Sequence, residues 1–426
     1  MDNVTHTLAG AAFAEVVARL RAIRRPDDPQ AETVRGALWL SSMLASNAPD
    51  LDIVLTGAVR SPLGYLLHHR GHTHTIFAAP VLAALSVGVA WLWARKRGGL
   101  SRGAMILALA LATAMGWLHV AMDYGNSYGV HPFWPFSSRW HFGDSIFIVE
   151  PLLWSVLALP LAFSVRSRGA KAFFFGVPAL GALLSAVLPF VTLQALALVV
   201  VVSGLTIALA RMLGETGRAV LALFLFAAVE TGFFLAHGEA EVHARGALAG
   251  AFPRERLVDV VMSPSPGNPL CWQALGLGIE GDDFVARHLA ISLDETLAPI
   301  ESCRIAPPAD MTVAHAPIER SETATLRFFE EMRTPLARLR AADDESEEAA
   351  AFLRFARAPY VLDRAGEPTI VGDLRFDREA ALGFGELELH EDGPLGGWVP
   401  SWEPPRIDVL DPTRAPPART HDIVTE

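Results

Sequence analysis

The fold class this sequence predicts is an all-α polytopic membrane domain of about 6–8 transmembrane helices, followed by a smaller α+β extracytoplasmic domain. Three observations carry that expectation. Mean hydropathy is +0.32 and 51% of the 426 residues are hydrophobic, more than a water-soluble chain of this length needs. The charge is unevenly divided, with a net +5 on residues 1–236 and a net −16 on residues 237–426. Apolar windows close to the roughly 20 residues that a bilayer requires all fall in the first part. The acidic second part reads as water-soluble, and its charge argues against nucleic-acid binding. The expected boundaries are 1–238 for the transmembrane domain, 239–403 for the acidic domain and 404–426 for a proline-rich tail, extended or disordered.

In chain order, residues 4–18 and 36–48 are the first apolar segments, short enough to be either spans or amphipathic helices in the interface. Residues 76–94, 104–122 and 172–193 contain no Asp, Glu, Lys or Arg; 145–165 contains only Glu150, 219–236 only Glu230, and 195–210 is uncharged but shorter. With eight segments counted, fourteen basic residues fall in alternate loops on one side and three, Arg60, Arg70 and Arg139, on the other. The positive-inside rule then puts both termini, the histidine-rich run and the acidic domain outside the cytoplasm. No cleavable signal is apparent, since the start lacks a basic stretch and already holds His6 and Glu15.

In the acidic domain, helices are expected near 323–339 and 345–357, and short strands at 360–362, 369–371 and 386–389. A turn at 365–368 can join the first two strands as a hairpin. Pro264, Pro266 and Pro269 read as a rigid extended linker or a surface-lying arm. Cys271 and Cys303 are the two cysteines; an oxidising compartment permits a bond between them, but sequence alone leaves open whether they meet.

The chemistry gathers in the first half. The run His69-Arg70-Gly71-His72-Thr73-His74, preceded by His68, puts dense imidazole beside an uncharged span, and imidazole is the commonest protein metal ligand. His119 and Asp123 are spaced i, i+4 and share one helix face. Asp50 and Asp52 follow the helix-closing Pro49. The orientation derived from loop arginines and lysines alone brings these residues, with His6, His131, His141 and Asp144, to the outer ends of their helices. Ionisable groups at membrane depth are costly and mark function. His6, Asp50, His69, His119 and Asp123 are the expected metal ligands, with Asp52, Arg70 and His74 as catalytic groups. His72, His131, His141, Asp144 and Glu150 are candidates for outer contacts or a second ion. Mixed imidazole and carboxylate ligands favour Zn2+, with one or two ions expected. Gly71 is expected to let the run turn tightly, and Arg70 to grip a phosphate with two prongs.

Met1-Asp2-Asn3-Val4-Thr5-His6 with Gly10, Pro49-Asp50-Leu51-Asp52, the histidine run, His119-Val120-Ala121-Met122-Asp123 and the loop from Pro132-Phe133 to Asp144 together resemble a family of bacterial membrane-bound predicted metal-dependent hydrolases, the LexA-regulated inner-membrane type. The acidic part, with Ser263-Pro264-Ser265-Pro266-Gly267-Asn268-Pro269 and Gly372-Asp373-Leu374-Arg375-Phe376, is similar to the extra domain of longer members. A more distant similarity is to the zinc-dependent phospholipase C and P1-type nuclease group, whose pattern falls here on His6, Asp50, His69, His119 and Asp123. That similarity implies a site in which Asp123 bridges two ions, and attack by a metal-activated water on a phosphodiester. The processed amino-terminal ligand of those secreted enzymes and their second ligand pair have no evident counterpart here.

The expected function is therefore a membrane-bound hydrolase of phosphoester bonds in a phospholipid or lipid-linked substrate, in the bacterial inner membrane. An ion or metal transporter is one rival, because intramembrane carboxylates and histidines also build ion paths. A non-catalytic assembly protein working through its outer domain is the other.

Overall fold

The computed structural model describes residues 1–59, 62–188, 191–303, 316–318, 323–376, 382–389, 395–411 and 413. Arg60, used above to orient the chain, and the tail at 412 and 414–426 lie outside the described residues. The first half is helical: α1 (Asn3–Arg24), α2 (Ala31–Ala45), a 3-10 segment (Ala48–Ala58), α3 (Leu63–His68), α4 (Ala78–Arg95), α5 (Arg102–Tyr124), α6 (Pro151–Ala162), α7 (Arg168–Val187), α8 (Leu193–Met212) and α9 (Glu215–Ala251). Side-chain caps start several of these helices. Asp2 accepts from the Thr5 amide, Ser101 from Ala104, Ser167 from Ala170 and Thr192 from Ala195.

Five of these helices, α4, α5, α7, α8 and α9, are long and apolar enough to cross a bilayer. The span expected at 145–165 is a departure from that reading. Glu150 caps a helix that begins only at Pro151, and the 12 residues of α6 reach about 18 Å, short of a ~30 Å hydrocarbon core. All of them are buried, so α6 is a core helix of the bundle. Glu15 of α1 is also fully buried, and its carboxylate accepts from Arg19 Nε, Arg35 Nε and Trp39 Nε1, each at 2.8 Å.

The second half holds two antiparallel sheets. Strands β1 (Arg256–Ser265), β2 (Asn268–Glu280), β3 (Asp283–Ser292), β4 (Ala316–Pro317) and β5 (Leu326–Pro335) form one sheet in the order β1-β2-β3-β5-β4. Helices α10 (Leu336–Glu345) and α11 (Glu347–Leu353) lead to the second sheet, β6 (Pro359–Leu362), β7 (Ile370–Asp373) and β8 (Glu386–Glu388), and α12 (Ile407–Leu410) follows. The β6–β7 hairpin falls where the 365–368 turn predicts it. The helix expected over 323–339 is strand β5 and then α10, because pairing with β3 overrides the helix-forming Glu, Met and Arg of that stretch. The prolines read as a linker instead shape a hairpin tip. Ser265 pairs with Asn268 across Pro266-Gly267, and Gly267 takes the positive φ, 72°, that such a turn demands. Cys271 and Cys303 are joined in a disulfide.

No flexible joint separates the halves. Helix α9 continues through residue 238, the expected domain boundary. A single buried cluster runs from Leu8, Leu153 and Phe233 of the helices to Val260, Trp272 and Leu289 of the sheet. The Gly267 amide donates to Glu150 at 3.0 Å, fixing the hairpin tip on the start of α6. Within the segment expected to open an extended or disordered tail at 404, Val409 and Leu410 are buried in a second core cluster with Leu63, Leu66, Leu67 and the preceding Trp402.

Candidate metal centre

Four elements converge at one end of the bundle. Helix α5 brings His119 and Asp123 in its last turns, and the 3-10 segment brings Asp50 and Asp52 directly after Pro49. The turn after α3 brings His69 to His74, and α1 brings His6. One oxygen or nitrogen from each of Asp50, His74, His119 and Asp123 lies within 4.8 Å of the others, a group able to hold a metal ion. His74 Nε2 is 3.0 Å from His119 Nε2, 3.3 Å from Asp50 Oδ1 and 3.2 Å from Asp123 Oδ2. His119 Nε2 is 3.6 Å and 3.4 Å from the same two oxygens.

The far sides of both rings decide what the near sides offer. His119 Nδ1 donates to the Ser46 carbonyl at 2.7 Å, and His74 Nδ1 donates to Asp52 Oδ2 at 2.9 Å. In neutral rings those donations leave both Nε2 atoms as lone pairs facing each other and two carboxylates. Asp123 Oδ2 is buried with Arg70 Nε at 3.0 Å, so Arg70 and the Met1 amino group answer part of the charge of the two carboxylates. The two facing lone pairs beside Asp50 and Asp123 call for a further positive charge. Burial disfavours a charged His74, but hydrogen bonds to Asp123, Asp50 and Asp52 overcome it and hold the ring well above its usual pKa. Asp50, despite burial, is held well below the usual carboxylate range by His119 and His74. A proton on His74 or a cation among the four atoms meets the demand. Two imidazoles, each anchored through Nδ1 to a carboxylate or a carbonyl, and two carboxylates are a donor set that fits a divalent metal.

The other expected site residues take different places. His69 stands outside the group of four; its Nδ1 donates to Asp52 Oδ1 at 3.1 Å, so one buried carboxylate orients both His69 and His74. His74, expected on the substrate side, stands in the group of four able to hold an ion. His6 stacks on His119 at 3.8 Å between ring centres, and its Nε2 is 3.2 Å from Asp123 Oδ1, the oxygen turned away from His74 and towards the Met1 amino group. Arg70 does not project as a clamp. It is 2% exposed, with Nε 3.0 Å from Asp123 Oδ2 and its guanidinium 5.2 Å from the Tyr128 ring centre. The left-handed residue of the turn is Arg70, φ 60°, rather than Gly71. Gly71 serves close approach, because a Cβ there would sit 3.0 Å from the Trp402 ring.

None of the five outer candidates joins the cluster. His72 stacks on Trp398 at 4.6 Å and contacts Trp134 and Trp402, and burial together with His68 pushes it down to about 4. His131 stacks on Trp402 at 3.8 Å and is pushed down by burial. His141 pairs with Val130 through the backbone, Asp144 accepts from Arg357 Nη1 at 2.8 Å, and Glu150 caps α6.

Sequence reasoning missed the contribution of the C-terminal segment, 330 residues along the chain. The Trp398 amide donates to Ala58 O at 3.1 Å, its carbonyl accepts from His68 Nε2 at 2.9 Å, and Trp402 Nε1 donates to Leu67 O at 2.7 Å. These bonds clasp the exit of the 3-10 segment and the entry to the histidine turn. Thr73 Oγ1 closes the other side on Pro49 O at 2.6 Å. No spacing signal in the sequence connects Trp398 or Trp402 with the histidines.

Comparison with curated proteins and with solved structures found no match. The model of the YdjM inner membrane protein family matches residues 1–236, all of the segments that carry the candidate ligands and more than half of the chain. With its several candidate spans, the protein is a multi-pass inner-membrane protein, and it belongs to the YdjM inner membrane protein family, the LexA-regulated inner-membrane type.

Proposed function

We propose that the protein is a metal-dependent hydrolase acting on a phosphoester of a lipid or lipid-linked substrate at the outer face of the inner membrane. The observation that carries this reading is the pairing of two Nδ1-anchored imidazoles with two carboxylates in a buried group. Asp50, His74, His119 and Asp123 hold the ion, most simply Zn2+. A divalent ion there supplies Lewis acidity, polarising a phosphoryl oxygen and bringing a water's pKa towards ~7.

The chain's own groups do the rest. Asp52 fixes the rings of His74 and His69. His69, with Nδ1 committed to Asp52, keeps Nε2 as a proton acceptor at a point where its side chain is 13% exposed, a base–orienter pair of the kind general base catalysis uses. Arg70, fixed beside Asp123, places a permanent positive charge next to the reacting centre. The disulfide and the arginine-rich opposite loops support an extracytoplasmic outer domain. Against transport, Glu15 is saturated by three donors and offers no open step in an ion path. Elemental analysis of purified protein, with a phosphodiester and phospholipid screen, tests the proposal. Expected are bound zinc, lost in Asp123→Ala, and metal-dependent turnover; unchanged stoichiometry in the variant would sink the ligand assignment.

A further inference from the structure

The 3-10 segment is polar inside and apolar outside, the reverse of a water-facing loop. Asp52 is 1% exposed and Pro49 is buried, whereas Leu51, Ile53 and Val54 are 55%, 54% and 75% exposed. Asp52 is the single ionisable residue between Leu51 and Ala58, and it points inward. Contiguous exposed apolar side chains of this kind mark a binding surface.

Depth identifies what covers them. At 1.5 Å per residue, the 23 residues of α5 extend about 35 Å; against a ~30 Å hydrocarbon core, His119 and Asp123 lie at its interfacial end. Ser46, bonded to His119, starts the stretch leading into the 3-10 segment at that same level. Trp117, 48% exposed, donates to Ile76 O at 2.9 Å, and the exposed Phe77 and Phe136 rings meet at 5.2 Å. Exposed aromatics at the end of a span form the belt where a protein meets headgroups. The mouth of the centre opens here as well. Of the side chains that make it, Asp50 and His69 are 17% and 13% exposed, while His74, Asp52, His119 and Asp123 are at most 1%. Asp50 directly precedes Leu51.

We propose that residues 48–58 are seated in the outer leaflet with Leu51, Ile53 and Val54 among acyl chains, so that a lipid phosphate reaches the centre sideways at Asp50 and His69. The seat at the membrane interface stands on the geometry alone, its assignment to the outer leaflet on the loop charges, and the lateral route on the hydrolase reading above. Cys271 and Cys303 are joined and no other cysteine exists, so Val54→Cys, Leu85→Cys and Glu345→Cys each give one free thiol for a nitroxide. In the full chain, reconstituted into phosphatidylethanolamine–phosphatidylglycerol vesicles, collision with oxygen is compared with collision with a water-soluble nickel chelate. The label at 54 is expected to favour oxygen, as on the span-exposed Leu85, and the label at 345 to favour the chelate. A label at 54 as open to the chelate as 345, or shielded from both reagents as in a contact with a second protein copy, overturns the seat. For the route, the triple variant Leu51→Ser, Ile53→Ser, Val54→Ser is expected to lower the ratio of long-chain phospholipid to bis(p-nitrophenyl) phosphate hydrolysis roughly tenfold. An unchanged ratio overturns the route. Absence of all hydrolysis in the unaltered protein with the label at 54 still favouring oxygen refutes the hydrolase reading and leaves the seat intact.

Discussion

Asp52→Asn is the substitution that separates a metal centre from a merely well-bonded polar cluster. Asp52 is buried and accepts two bonds, from His74 Nδ1 at 2.9 Å and His69 Nδ1 at 3.1 Å. An amide of the same shape keeps one acceptor oxygen and turns two N–H donors towards the other ring. If His74 loses its acceptor, its favoured tautomer moves the proton to Nε2, the atom 3.0 Å from His119 Nε2, and a protonated Nε2 cannot ligate. Loss of a group that orients a metal-bound histidine typically costs about 10–100-fold in affinity, roughly 1.4–2.7 kcal/mol. The full chain in detergent, titrated with Zn2+ against a chelator of known affinity, is therefore expected to bind that much more weakly. His74→Ala is expected to weaken binding further than His69→Ala, since only His74 places an atom in the group of four. Affinity within twofold of the unaltered protein for Asp52→Asn, or His69→Ala proving the more damaging of the two, would refute the assignment. A thermal melt in chelator excludes simple unfolding as the cause.

Three further outcomes follow from packing and charge. Trp402→Ala removes a 3% exposed ring that stacks on His131 and bonds to Leu67; a cost of about 3–5 kcal/mol is expected in denaturant unfolding, with zinc affinity reduced because the histidine turn is released. Arg357→Ala strands Asp144 and leaves Asp259 to Arg406 at 3.6 Å, both carboxylates lying within 3.0 Å of the Arg357 guanidinium, and is expected to cost about 3–5 kcal/mol. The acid branch of stability provides a separate check. Burial opposes ionisation of Asp259, but Arg357 and Arg406 outweigh it and hold the carboxyl well below its usual range, so its contribution is present above pH ~4 and lost on further acidification. Loss of stability between pH 6 and pH 3 should be smaller in the variant, and an identical loss contradicts the pairing. Reducing the Cys271–Cys303 bond opens a loop of 32 residues, for which chain entropy gives roughly 3–4 kcal/mol; a melt unchanged by reductant contradicts that estimate.

Legibility in the sequence followed how local each signal is. The apolar windows became α4, α5, α7, α8 and α9 because side-chain transfer to a bilayer is decided residue by residue. The ligand-bearing segments were visible for the same reason, since His119 and Asp123 share a face by helix geometry alone. Choosing between His69 and His74 was beyond local rules. It depends on where Asp52 lies and on a left-handed conformation at Arg70, a residue without special propensity for it. The β1–β2 hairpin went unread because Pro264, Pro266 and Pro269 mark its tip, and a linker and a hairpin tip share the same composition. The β5 region carries helix formers and is a strand only because β3 is beside it. Helix α6 looked long enough to span because composition cannot show that Glu150 starts the helix rather than lying inside it.

These non-local decisions also explain why the C-terminal domain packs where it does. The ligand group draws on α5, whose helix is self-sufficient, and on two turns, at 48–58 and 69–74, that are not. A turn carrying buried Asp52 and buried His74 must be held against the cost of dehydrating both, and neighbouring membrane helices supply few polar partners for its backbone. The backbone groups of Ala58, Leu67 and His68's side chain find theirs in Trp398 and Trp402. Those tryptophans are in turn held by Arg354 on the Pro400 carbonyl and by Glu403 on Arg139. The bonds that position His74 thus run through the C-terminal segment, and the C-terminal domain is part of the candidate metal centre's scaffold even though none of its described side chains belongs to the group of four.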